Sequence, residues 1–199
     1  FVEDELERLV NMGVVKKVDH SEWAAPIVMV KKANGKARMC ADFSSGLNGA
    51  LEDNKHPLPT PRAIFADICH GKIFSQIDLS DAYLQIPLSA SSQRIAVINT
   101  HRGLFAYQRL PFGIKTAPGI FQQIMDSTLA GANGAVAYLD DIIVYGRTEE
   151  EHRRNLWEVL SRLQESGLKI QPAKCAFAQN KIKYLGFYIS AEGRRPDPE

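Results

Sequence analysis

Several large functional classes are excluded by what this chain has little of. Cysteine is scarce: Cys40, Cys69 and Cys175 are odd in number and widely spaced. They match no zinc pattern and no disulfide framework, and such a set fits a reducing compartment. No apolar run approaches the roughly 20 residues of a membrane span, so no membrane partner is expected. The five histidines form no cluster, which argues against an imidazole-rich metal site. Acids are absent from Ala82 through Met125, a stretch that carries Arg94, Arg102, Arg109 and Lys115. From Lys169 to Arg195 the only acid is Glu192, against Lys169, Lys174, Lys181, Lys183, Arg194 and Arg195. The formal net charge is only +1, so bulk charge does not imply a polyanionic partner. The local imbalance fits either a solvated basic face or a surface along which a polyanion lies. The start, Phe1-Val2-Glu3-Asp4, resembles neither a signal peptide nor an initiator, and the expectation is a piece of a longer polypeptide.

What the chain does have is a pair of acids in an unusual place. Ala137-Tyr138-Leu139-Asp140-Asp141-Ile142-Ile143-Val144-Tyr145-Gly146 sets two adjacent aspartates inside a run of strand formers. Asp is depleted in strands, and burying two carboxylates side by side is costly unless cations compensate. Successive strand residues face opposite ways, so both acids can meet one site only if the chain turns there. The pattern predicts a hairpin whose tip presents carboxylates. A third acid, Asp78, ends a similar run, Lys72-Ile73-Phe74-Ser75-Gln76-Ile77-Asp78-Leu79. A solvated turn is the plain alternative, since Asp is a common turn residue. The apolar flanks on both sides favour the cluster.

The rest of the chain reads as alternating helices and strands. A helix is predicted over Glu3–Met12, ended by Gly13. Strands at 27–30 and 37–40 flank Asn34-Gly35, a strong hairpin signal, with cations at Lys31, Lys32, Lys36 and Arg38. Residues 44–58 read as a loop, and Thr60-Pro61 opens a helix. A short turn or helix is predicted at Ser80–Leu84, and strands at Arg94–Asn99 and Leu104–Arg109. Pro118 starts another helix, and Thr148 with Glu151 forms a capping box for a helix that Gly167 closes. A last hairpin is predicted from 181–184 and 187–190, around Gly186. The class is α+β, an antiparallel or mixed sheet with helices packed on one face.

Three carboxylates without a histidine partner favour hard cations, Mg²⁺ or Mn²⁺. Two such ions about 3.5–4 Å apart can activate an attacking hydroxyl and stabilise a leaving pyrophosphate.

Five segments together carry a specific resemblance. Tyr138-Leu139-Asp140-Asp141 resembles the YxDD box of reverse transcriptases, and Leu110-Pro111-Phe112-Gly113-Ile114-Lys115-Thr116-Ala117-Pro118 their LPFG-x-K-x-x-P segment. Phe74 to Tyr83 resembles the strand that carries the first catalytic Asp. Arg38-Met39-Cys40-Ala41-Asp42-Phe43 resembles a fingers segment, and Tyr184-Leu185-Gly186-Phe187 the primer grip. They occur in family order over nearly the whole chain. Phe112 and the ending Leu185-Gly186-Phe187 point to the pol polyprotein of gypsy-type LTR retrotransposons.

The resemblance implies a right-hand polymerase fragment. Residues 1–71 would be mainly fingers, 72–110 palm with a fingers excursion, and 111–199 mainly palm ending in the primer grip. Thumb, connection and ribonuclease H regions would lie outside it. Asp78, Asp140 and Asp141 would be catalytic and, with the Leu79 carbonyl, would hold two Mg²⁺ or Mn²⁺ ions. Lys32, Arg38, Ser80, Asp81, Ala82, Tyr83, Phe112 and Gly113 would contact the incoming nucleotide. Tyr83 matches the aromatic gate against a ribose 2′-hydroxyl, although it and Phe112 read equally as core aromatics, and Lys32 as an exposed lysine. Tyr138, Lys115, Tyr184, Leu185 and Gly186 would contact primer or template. The expected partners are an RNA or DNA template with its primer, a deoxynucleoside triphosphate, and the remaining polyprotein with thumb, ribonuclease H and integrase. Cytoplasmic particles follow by analogy. The segment Phe43-Ser44-Ser45-Gly46-Leu47-Asn48 is one residue longer than the family pattern and has Ser44 where a cation is usual. A rival reading is a domesticated or incomplete fragment that only binds nucleic acid.

Overall fold

The computed structural model of the chain describes residues 2–31 and 37–197. In chain order the first elements are α1 (Val2–Asn11), β1 (Val15–Val18), β2 (Ala25–Lys31), β3 (Ala37–Ala41), α2 (Leu47–Ala50), α3 (Pro61–Ile68) and β4 (Ile73–Asp78). Then come α4 (Ala90–Ile95), β5 (Val97–Thr100), β6 (Gly103–Tyr107), α5 (Ala117–Thr128), β7 (Ala135–Tyr138) and β8 (Asp141–Gly146). The chain ends with α6 (Glu149–Glu165), β9 (Ala176–Gln179), β10 (Lys181–Tyr184), β11 (Phe187–Ser190) and β12 (Gly193–Pro196). It divides into two compact units, Phe1–Lys55 with Asp81–Ala117 and His56–Ser80 with Pro118–Glu199.

In the first unit a five-stranded sheet runs in the order β1-β6-β5-β2-β3. All its pairs are antiparallel except β2 with β5, so the sheet is mixed. Helix α1 buries Leu6 and Leu9, and Gly13 leaves it at φ +67°. The segment expected to be a loop after Ser44 is more ordered than that. Phe43 and Leu47 are both buried, four residues apart, and a 3₁₀ turn at Phe43–Ser45 precedes α2. The Asp42 carboxylate caps that turn by accepting the Ser44 N–H. The strand expected from Arg94 begins only at Val97. Before it, the Ser89 hydroxyl accepts the Ser92 N–H and starts α4, which takes Arg94 into a helix.

The second unit holds the sheet β7-β8-β4-β9, antiparallel throughout, and a three-stranded sheet β10-β11-β12. Its core is dry: Phe74, Ile77, Phe121, Met125, Ile142, Ile143 and Val144 have no exposed surface. Thr60 caps α3 through the Ala63 N–H, and α3 packs Ile64, Phe65 and Ile68 against Phe74, Ile143, Tyr184 and Ile189. At the start of α6, Thr148 accepts the Glu151 N–H while the Glu151 carboxylate accepts the Arg147 N–H. Gly146 lets α6 approach β8, because a Cβ there would lie 2.4 Å from the His152 nitrogen. Strands β9 and β12 had no counterpart among the expected elements. Both are four residues long and mostly exposed, so they carry little apolar signal.

Candidate active site in the second unit

Cross-strand register brings the acids together. Asp78 is the last residue of β4, Asp141 the first of β8, and they are direct antiparallel partners. Tyr138, the last residue of β7, pairs with Asp141 from the other side. Directly opposed residues share a face with Cα atoms about 4.5–5.5 Å apart, so Tyr138, Asp141 and Asp78 form a row across three strands. Asp140 sits in the two-residue turn between β7 and β8, where Leu139 takes φ +55°. The chain therefore turns where the paired acids required it to.

The electrostatics of the row are those of a site short of cations. Oδ1 of Asp78 is buried and has no hydrogen-bond partner. The Lys174 ammonium stands 3.4 Å from that oxygen, within ion-pair reach. Burial holds the Asp141 carboxyl above its ordinary range, and the Asp140 and Asp78 charges add to this. A hydrogen bond with Gln76 and the Lys174 charge work the other way. The Tyr184 hydroxyl is also buried without a partner. Burial pushes its ionisation far up, and the charges of Asp141, Tyr138 and Asp140 push in the same direction. Among the described residues no three or more His, Cys, Asp or Glu side chains are gathered ready to hold a metal ion. The backbone aligns Tyr138, Asp141 and Asp78 in one row, with Asp140 in the adjoining turn.

The site fits a hard cation on its own evidence. It offers an orphaned buried carboxylate oxygen, two further carboxylates within mutual electrostatic reach, and a lysine partly supplying the missing positive charge.

Other residues set the frame. Leu79 is buried and makes an isolated antiparallel bridge with Ile170. The Ser80 N–H donates to the Lys169 carbonyl, and its hydroxyl donates to Gln171 Oε1. The Asp78 N–H donates to Cys175 Sγ at 3.4 Å, and the Asp78 carbonyl accepts the Gln171 N–H. At the other hairpin, Leu185 (φ +46°) and Gly186 (φ +76°) form the turn between β10 and β11. Sequence reasoning missed Gln76, Gln171 and Cys175, and placed Lys174 only in a basic stretch. It also missed Gln122, a fully buried amide on α5 that bonds the Asp140–Asp141 hairpin.

The expected nucleotide-contact residues other than Ser80 and Lys32 fall in the first unit. Asp81 has φ +46° and leads into a 3₁₀ turn over Ala82–Gln85. Tyr83 is buried and meets the half-buried Phe112 edge to face, with ring centroids 4.8 Å apart. Both are thus packed aromatics as well as candidate contact residues. Gly113, at φ +92°, approaches the Ala41 carbonyl. Its own carbonyl accepts from the Asn48 amide, and Asn48 Oδ1 accepts the Lys115 N–H. The Lys115 ammonium pairs with Asp53 at 3.0 Å. Lys32 lies outside the described residues. Arg38 is in β3, and its side chain likewise lies outside them. Among the described residues no helix is long and apolar enough to cross a membrane.

The chain is similar to known proteins in sequence and in fold. Residues 30–189 match the family model described as reverse transcriptase (RNA-dependent DNA polymerase). The chain is 51% identical over 198 residues to Uncharacterized protein K02A2.6 of Caenorhabditis elegans, covering 98% of this chain and 16% of that protein. It is 33% identical to the Transposon Tf2-3 polyprotein of Schizosaccharomyces pombe, covering 98% of this chain and 15% of the polyprotein. The chain therefore spans about one sixth of the length of these relatives. Among solved structures it resembles the foamy viral protease-reverse transcriptase dRH in complex with double-stranded DNA, with a TM-score of 0.91, 28% identity, and coverage of 98% of this chain and 34% of that one. The foamy viral protease-reverse transcriptase in complex with an RNA/DNA hybrid gives a TM-score of 0.89, 27% identity, and coverage of 97% and 26%. With the family model matching residues 30–189, a span that holds the aligned acids, this chain belongs to the reverse transcriptase family.

Proposed function

We propose that this chain is the fingers and palm of an RNA-directed DNA polymerase from a gypsy-type LTR retrotransposon pol polyprotein. It adds deoxynucleoside triphosphates to a primer 3′ end on an RNA or DNA template. The first unit corresponds to fingers and the second to palm. The observation that carries the reading is the Asp78–Asp141 register with Asp140 in the adjoining turn.

In this reading Asp78, Asp140 and Asp141, with the Leu79 carbonyl, hold Mg²⁺ or Mn²⁺. When bound, two such ions lower the barrier to attack by the primer hydroxyl and stabilise the pyrophosphate leaving group. The protein's own work is positioning and charge placement. Asp78 and Asp141 keep a fixed separation because they are rungs of one ladder. Lys174 places a positive charge 3.4 Å from Asp78 Oδ1, which offsets part of the negative charge of the row. The Tyr184 hydroxyl stays protonated and adds no charge to the acids. Tyr83, Phe112 and Gly113 select the nucleotide, with Lys32 and Arg38 as phosphate contacts. Lys115, Tyr138, Tyr184, Leu185 and Gly186 hold primer or template. The foamy viral structures, described as complexes with double-stranded DNA and RNA/DNA hybrid, support a template–primer partner. The polyprotein relatives support further domains in the same polypeptide.

The test is primer extension by the full-length polypeptide on RNA and DNA templates, with Mg²⁺ and with chelator. Template-dependent incorporation that needs the divalent ion is expected. No incorporation on either template, with template–primer bound, would overturn the reading.

A further inference from the structure

Two adjacent glutamines on α5 have opposite fates: Gln123 is exposed, while Gln122 has no exposed surface. Phe121 and Met125 already fill the core beside it with apolar groups. A buried amide there costs desolvation that an apolar residue would avoid, so its hydrogen bonds must justify it. Two of those bonds converge on the hairpin between β7 and β8. Gln122 Nε2 donates to the Ala137 carbonyl at 3.0 Å, and Oε1 accepts the Leu139 N–H at 2.8 Å. One side chain therefore grips the end of β7 and the first residue of the turn that presents Asp140. The second Nε2 proton goes to Asp126 Oδ1 at 2.8 Å, one helical turn further along α5. Asp126 is held in turn by His56, whose Nε2 lies 2.6 Å from Oδ2.

From this geometry we propose that Gln122 is a positioning residue for the catalytic turn, and that Asp126 fixes the orientation of its amide. The proposal rests on the polymerase reading above. An amide can be flipped end for end, but an ionised carboxylate only accepts, so Asp126 forces the NH₂ end toward itself and Ala137. The oxygen is then left facing Leu139, whose φ of +55° is strained for a branched side chain. Without the clamp, the turn loses the two hydrogen bonds from Gln122 that hold that conformation, and Asp140 loses its fixed placement relative to Asp78 and Asp141. Gln122 touches no reacting group. It acts through the turn, as outer partners of metal ligands do.

The experiment uses the full-length polypeptide and Gln122→Met, which keeps side-chain length and apolar packing. Four quantities are read: melting temperature, template–primer Kd, single-nucleotide kcat and KM, and Mn²⁺ affinity by electron paramagnetic resonance. The expected result is a loss of about 10–100-fold in kcat and in Mn²⁺ affinity, with KM and template–primer Kd within about twofold. Wild-type kcat and Mn²⁺ affinity in a folded Gln122→Met would overturn the proposal. Should that variant fail to fold, Asp126→Ala and Asp126→Asn decide. The alanine variant is expected to lose kcat and Mn²⁺ affinity and the asparagine variant, which keeps an acceptor, to recover them; two variants alike and equal to wild type would overturn it. A wild-type protein that incorporates nothing refutes the polymerase reading instead, and the Mn²⁺ comparison still decides the clamp.

Discussion

Leu139–Asp140 and Leu185–Gly186 each reverse the chain between two strands in two residues, and each begins with a leucine at positive φ. After that shared start they are held in different ways. At the second turn Gly186 follows at φ +76°, the residue type that a tight hairpin asks for. Leu185 packs on the core cluster of Ile64, Phe65 and Tyr184, and the Gly186 carbonyl accepts the Asp197 N–H just after β12. This turn is stabilised by its own sheet. At the first turn only Leu139 takes a positive φ, Asp140 follows without one, and support comes from α5 through Gln122. The lesson is that a leucine at positive φ is supported in two ways, by a following glycine and core packing at one hairpin and by a buried side chain from a helix at the other.

The largest effect should come from changing the second residue of each turn. Asp140→Asn should reduce incorporation by about a thousandfold or more while leaving the melting temperature nearly unchanged, since a metal ligand is lost and no packing. Gly186→Ala should instead lower the melting temperature. A Cβ there meets nothing within 4 Å, so only the φ is strained. It should cost about 1–2 kcal/mol and lower the melting temperature by about 2–4 °C for each kcal/mol. Equal thermal losses in the two variants would break the contrast.

A smaller effect concerns Asp141, whose folded pKa is raised by burial and by Asp140 and Asp78. For an acid with a raised folded pKa, the ionised form favours the unfolded chain. Stability from this group is therefore lost as pH climbs from the ordinary carboxylate value through the raised one. Asp141→Asn should raise the melting temperature near neutral pH in chelator, by about 2–4 °C per kcal/mol relieved. The advantage should vanish or reverse when Mg²⁺ is added, because only wild type then gains a cation. An advantage that persists in Mg²⁺ would count against cation binding by Asp141.

The smallest effect compares the two leucines. Leu139→Gly relieves a positive φ but loosens the unfolded chain, two terms of about 1 kcal/mol that nearly cancel. Its melting temperature should stay close to that of wild type. Leu185→Gly also loses packing against the core and should melt lower. Thermal scans of the pair read the difference, and a larger drop for Leu139→Gly would show that its side chain matters more than its backbone.

Much of this was legible in the sequence, and for reasons that differ by residue. Asp140 and Asp141 stood out because charge in an apolar strand is expensive, and the hairpin followed from period-two geometry. The helix at Pro61 and the one after Thr148 were readable from their caps. Arg94 was misplaced because Ile95-Ala96-Val97-Ile98 looks like one apolar strand, and only the Ser89 cap reveals that a helix takes its first residue. Gln122 was invisible in a different sense. It lies between Phe121 and Gln123 in an ordinary amphipathic pattern, and its importance exists only once α5 is packed beside β7. Lys174 reads as one more surface lysine until the β4 end is placed next to it. Local signals show elements and odd residues, whereas partners across the fold need the fold.

The central claim is that the ends of β4 and β8 form a divalent-cation site. The most direct measurement is anomalous diffraction from crystals of the full-length polypeptide grown with Mn²⁺ and template–primer. The account predicts manganese peaks bounded by the carboxylates of Asp78, Asp140 and Asp141, with the Lys174 ammonium moved off Asp78. Manganese bound only elsewhere, with the Lys174–Asp78 pair intact, would contradict it.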